Sequence, residues 1–239
     1  MSLPSEPRDA DAWAPPVETL TVADGHINVT GRRPTAPIHG FGRMWQKTYQ
    51  TILGSEVSPQ EVISAWKEHF SEFWPKKSRF FAPLAGIAPG EVAALDLGMP
   101  GGMKLSTGVL VLFADDESFT LMTPEGHMFA GWITFASFVE DGSTVARAQV
   151  LMRASDPLYE IGMMTGGHRQ EDKHWVHTLK ALAAHFGVES EVQVERVCVD
   201  KRREWDRAGN VRHNSGIRSF TYMLGTPFRA VRPRRPGKS

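Results

Sequence analysis

At 239 residues the chain is long enough for one large domain, or one domain with extensions, around a sizeable core. Its apolar fraction of 41% and charged fraction of 23% are ordinary for a globular protein, and the single cysteine, Cys198, excludes an internal disulfide. Net charge is zero but uneven: from Arg196 to Ser239 there are 12 Lys and Arg against 3 Asp and Glu, so this segment is +9 and the rest −9.

The basic segment has no aromatic–basic interleave and no reading motif, so nucleic acid is not expected as a partner. It reads as a solubilising tail or as a segment docked on its own acidic domain. No apolar run approaches the roughly 20 residues that span a bilayer. The N-terminus lacks a basic-then-apolar leader pattern, and a cytoplasmic location is expected.

In chain order, residues 1–17 are rich in Pro, Asp, Ser and Ala and read as disordered. Glu18–Thr30 predicts two short strands about an Asp24-Gly25 turn, and Gly31–Gly42 a loop. Met44–Leu53 alternates and predicts a strand. A helix follows: Ser58 is its N-cap, Pro59 its first residue, and Glu61 completes a capping box. Val62, Ile63, Trp66, Phe70, Phe73 and Trp74 make its buried stripe, and Pro75 ends it. Lys76–Pro89 predicts a short helix or turn.

Five strands come next: Glu91–Leu97, Lys104–Ala114, Phe119–Thr123, Gly131–Val139 and Thr144–Ala154. Turn residues at 99–102, 115–118, 124–127 and 140–143 separate them. In the last strand Thr144, Ala146, Ala148, Val150 and Met152 form a small apolar face suited to lie beneath a helix. Ser155–Arg169 reads as a linking loop with at most one turn.

The long helix is Gln170–Gly187. Trp175, Val176, Leu179, Leu182, Ala183 and Phe186 recur at helical spacing, while His174, His177, Lys180, Ala184 and His185 lie largely on the other side. Glu171 and Asp172 sit in the first turn, and Gly187 is a natural stop. Glu191–Val199 and Ile217–Leu224 predict a C-terminal hairpin turning through 208–210. Residues 229–239 read as a basic flexible tail. The domain boundaries are thus 1–17, 18–188, 189–228 and 229–239. A greasy-faced helix after antiparallel strands needs a sheet to lie on, so the fold class is α+β.

This order resembles the helix-grip fold of the SRPBCC superfamily, the START, Bet v 1 and polyketide-cyclase-like proteins. The resemblance covers about Met44–Val188 and rests on SPQEVISAWKEHFSEFWP after the first strand and HWVHTLKALAAHFGV as the last helix. TPEGHMFAGWITFASF is similar to an uncharacterised bacterial branch. The resemblance implies a curved antiparallel sheet gripping the long C-terminal helix, with terminal hairpins added. It also implies a cavity for an apolar or amphipathic molecule, in members that are carriers and in members that are enzymes.

Candidate lining residues are Trp66, Phe70, Phe113, Met122, Trp132, Phe135, Met152, Trp175 and Leu179, with Met128, Met163 and Met164 as further adaptable fillers. Candidates for acid–base work are Glu125 and His127 in one turn and Arg147 on its strand; Arg147 and Arg153 point away from the small apolar face. His174 and His177, at i and i+3, lack the glutamate of a metalloprotease helix, so no metal is expected. There is no G-x-S-x-G, no phosphate loop and no dinucleotide motif, and no cofactor is expected. The readings are a carrier of an apolar small molecule, a cyclase-, dehydratase- or hydrolase-type enzyme using the same cavity, and an assembly protein acting through its terminal segments. A homo-oligomer is compatible with all three.

Overall fold

The computed structural model describes residues 9–22, 28–98 and 104–221. Its centre is an eight-stranded sheet in the order β2-β3-β4-β5-β6-β7-β1-β8. The strands are β1 (Met44–Gly54), β2 (Arg79–Phe81), β3 (Val92–Gly98), β4 (Lys104–Ala114), β5 (Ser118–Met122), β6 (Phe129–Glu140), β7 (Ser143–Ala154) and β8 (Gln193–Asp200). Every neighbouring pair is antiparallel.

Between β1 and β2 lies α1 (Pro59–Glu68). The Ser58 hydroxyl accepts from the Glu61 amide, and the Glu61 carboxylate accepts from the Ser58 amide, so the capping box closes. The helix stops at Glu68, short of Pro75, yet turns carry Phe70, Phe73 and Trp74 into the core as the stripe requires. Arg79–Phe81 is an edge strand, not the helix or turn expected for Lys76–Pro89.

After β7 the backbone is helical almost at once. Asp156 caps α2 (Pro157–Gly162), a π-helical turn follows at Met163–Gly167, and α3 runs from His168 to His185. The expected linker Ser155–Arg169 is therefore mostly helix. Gly166, at φ 130°, breaks the helical path inside it.

The concave face of the sheet holds the core. Alternation places Tyr49 and Leu53 of β1, Ala146, Ala148, Val150 and Met152 of β7, and Phe135 of β6 against α1 and α3. Leu179, Leu182 and Ala183 of α3 are fully buried there. The small face expected of β7 is the one beneath the helix.

Described segments on either side of the core domain, 9–22 and 28–30 before it and 205–221 after it, pack outside this core. Residues 9–17 were expected to be disordered; from residue 9 they hold a 3-10 turn, and Trp13 bridges to Phe113. The expected Asp24-Gly25 turn lies outside the described residues, and its described flanks, 18–22 and 28–30, are not strands. Leu20 and Val29 seed a second small core with Leu110. At the other end β8 adds to β1 as expected, but 215–221 is helical where Ile217–Leu224 was expected as a strand. Between them a 3-10 segment, Trp205–His213, packs through Trp205 on Phe41. Arg153 is buried beneath this extension, donating to the Gly42 and Arg202 carbonyls and to Asp200. Arg196, Arg202 and Arg203 of the basic segment pair with Asp172, Asp200 and Glu160.

Candidate functional site

A cavity of about 410 Å³ lies between the concave face and the N-terminal half of the helical segment. Its apolar wall includes Leu95, Val109, Leu121, Ile133, Val150 and Met152 from five adjacent strands, with Trp74, Met163 and Trp175 opposite. Gly98, Gly131, Gly162, Gly166 and Gly167 all line it; a Cβ at 162 or 166 would meet open space, whereas one at 98 or 131 would strike the backbone of Lys77 or Leu151. The rest of the grip is filled. Trp66, Phe70, Phe119 and Phe135 pack edge-on or stacked against one another, with Phe119 and Phe135 centroids 4.7 Å apart.

Four ionisable side chains line this apolar space: His127, Tyr159, Glu171 and His174. Glu171 is held from the sheet by Lys47, whose Nζ donates to it at 2.6 Å, to Asp172 at 3.0 Å and to the His168 carbonyl. Tyr49 donates to Asp172 at 2.7 Å, and Arg196 closes the cluster at the surface. Burial pushes the Glu171 carboxyl up to about 7, against the pull of Lys47. Burial opposes ionisation of Asp172 as well, but hydrogen bonds from Tyr49 and Lys47 outweigh it and hold its carboxyl below the usual range. Desolvation lowers His127 and His174 to about 4, so both rings are neutral at pH 7. His168 is lowered to about 4 by burial and by Lys47.

The sequence-derived candidates fall into distinct places. Trp132, Met152 and Trp175 line the cavity, as do Met128 and Met163. Trp66, Phe70, Phe135 and Leu179 belong to the filled part of the core. Phe113 lies on the convex face against Trp13, and Met122 packs beside the Leu20 cluster. Met164 is exposed.

His127 reaches the cavity, but Glu125 does not share it. That carboxylate pairs with Arg32 at 3.3 Å and lies in a separate polar pocket of about 180 Å³. Arg147 lies over the Phe138 ring at 4.5 Å, away from the cavity. His174, expected on the solvated side, instead packs edge-on against Trp74 and Trp175 at 4.7 Å. No group of His, Cys, Asp and Glu arranged to hold a metal occurs among the described residues, and no described helix is long and apolar enough to cross a membrane.

Glu171, His174 and Trp74 were missed as cavity residues. A signal existed for the first: Glu171 is four residues before Trp175 and eight before Leu179, on the apolar stripe itself. Lys47 likewise alternates with Trp45 and Tyr49, on the strand face that turns inward.

A curved antiparallel sheet, β1 beside β7, and a C-terminal helix across the concave face together define the architecture. The chain has the helix-grip fold. No protein family matches the sequence, and no curated protein matches it. Solved structures similar to it include a START superfamily protein from Mycobacterium smegmatis (18% identity, TM-score 0.41, 61% of this chain and 98% of that one). Another is major latex-like protein 151 from Panax ginseng (14% identity, TM-score 0.40, 61% and 99%). A third is the di-domain ARO/CYC StfQ from the steffimycin biosynthetic pathway, at 11% identity and TM-score 0.47; 61% of this chain matches 53% of that one.

Proposed function

We propose that this protein binds and carries an apolar small molecule in the cavity between sheet and helix. The observation that carries the reading is the cavity itself: about 410 Å³ walled by aliphatic and aromatic side chains, with five glycines among its lining. Its volume falls in the range of about 300–1,000 Å³ usual for small-molecule sites. Apolar surface removed from water would supply the binding energy. Native mass spectrometry of protein purified from its own host, followed by extraction, is the test. A bound apolar molecule is expected; a protein that takes up no apolar probe under any condition sinks the reading.

A second reading has its own observation. Glu171, poised near pH 7, and His174, one helical turn away, both face the same apolar space, which is what acid–base chemistry on a bound molecule requires. Incubation of the extracted ligand with fresh protein separates the two. Conversion abolished in Glu171→Gln establishes catalysis, and an unchanged ligand leaves carriage.

A further inference from the structure

The polar groups of the cavity specify which apolar molecule it takes, and this inference rests on the carriage reading. Among the described residues, no Lys or Arg lines the cavity. Lys47, which holds Glu171 at the wall, is fully buried and engaged by Glu171, Asp172 and the His168 carbonyl. An anionic head group would therefore lose its water, face the Glu171 carboxylate and gain no cation in return. A cationic group would find that carboxylate already paired.

What the cavity does offer is neutral donors: Trp74 Nε1 on its wall is buried without a partner, and His127 supplies another. The Phe129 amide donates to His127 Nδ1 at 3.0 Å, so Nδ1 presents its lone pair and the proton of the neutral ring sits on Nε2. The Phe129 carbonyl, 3.2 Å from the same nitrogen, finds no proton there to accept. His127 is 5% exposed, lines the cavity, and its Nε2–H has no partner among the described residues. A donor at the wall of an apolar space gains a net hydrogen bond when a ligand oxygen reaches it. The wall near His174 is aromatic on several sides: Trp74 and Trp175 stand 6.3 Å apart, each edge-on to the His174 ring. Such a wall favours a flat ring system over a flexible chain.

We propose that the cavity selects an uncharged, ring-containing molecule bearing one carbonyl-type oxygen, which accepts a hydrogen bond from His127 Nε2.

Three probes of one skeleton test this on the full-length protein by quenching of tryptophan fluorescence and by calorimetry: 2-acetylanthracene, 2-ethylanthracene and anthracene-2-carboxylate, at pH 7.5. The ketone is expected to bind about fivefold more tightly than the ethyl compound, the worth of one net hydrogen bond. The carboxylate is expected to bind about tenfold or more below the ketone. In His127→Phe the ketone should fall to the affinity of the ethyl compound while the ethyl compound itself is unchanged. If that variant does not fold, the ranking on the unaltered protein decides. A carboxylate that binds as well as the ketone, or a ketone no better than the ethyl compound, overturns the inference and leaves carriage standing. Failure of all three to bind overturns the inference, and native mass spectrometry of protein from its own host then decides the carriage reading by itself.

Discussion

Lys47 is a charge enclosed by the fold, with its ammonium wholly out of water and two carboxylates supplied by the first turn of α3. Such a pair adds little over an apolar replacement of both partners, but removing one partner strands the other. Lys47→Met is therefore expected to cost about 3 kcal/mol in urea unfolding at pH 8. The loss should shrink at pH 5, where Glu171 takes up a proton and only Asp172, still held by Tyr49 and Arg196, remains charged, and Lys47→Met combined with Glu171→Leu should recover part of it. The histidines give the opposite pH dependence. His127 and His174 stay neutral in the fold down to about 4, while in the unfolded chain they protonate near 6.5. The unfolded state then binds more protons, so stability falls as pH drops between those values. Glu171, raised to about 7 from 4.5, pulls the other way: its contribution is fully present below 4.5 and is lost as pH rises through 7. His168 is lowered to about 4 as well but is partly exposed, so with three histidines against one carboxyl stability should drop by about 3 kcal/mol net between pH 6.5 and 4.5, read from urea midpoints across that range.

At the scale of the element, five glycines lie along the open end of the grip. Gly131 sits within β6 at φ 155°, where a Cβ would collide with the Leu151 carbonyl of β7. Gly131→Ala is expected to destabilise by about 2 kcal/mol and to weaken probe binding, since any relief must come from shifting a strand of the cavity wall. Chemical denaturation and a titration with 2-acetylanthracene check the two halves. Strand parity is also where sequence reasoning went astray. The register of β4 on β5 shifts between Val111 and Phe113, so Val111 faces the core while Phe113, two residues on, joins the convex side. Simple alternation has no means of showing that slip.

At the scale of the whole molecule, the C-terminal extension completes the sheet and seals its outer surface. It pairs β8 along β1, covers Phe41 with Trp205, and holds the buried Arg153 through Asp200 and the Arg202 carbonyl. A chain ending at residue 190 is expected to melt at a lower temperature and to associate as concentration rises, because β1 becomes an unpaired edge. Calorimetry and light scattering measure both. The described part of the basic segment accordingly docks on the chain's own acidic groups, as with Arg203 on Glu160 and Arg196 on Asp172.

Local patterns were enough to establish most of the scaffold. The Ser58 capping box, the alternation of Thr144–Met152 and the spacing of Trp175, Leu179 and Leu182 are short-range consequences of residue type, and they read directly as helix, strand and helix. Element order then implied a sheet wrapped on a helix. The tertiary structure alone decided where the wrapping is filled and where it is hollow. A cavity is a deficit of volume summed over strands far apart in sequence, so Trp66 and Phe70 look no different from Trp175 until the glycines at 131, 166 and 167 are seen to gather at one end. The same holds for the site's charge. Lys47 and Glu171 are 124 residues apart, and only folding shows that the cation is spent inside the wall and that a neutral histidine donor is left facing the space.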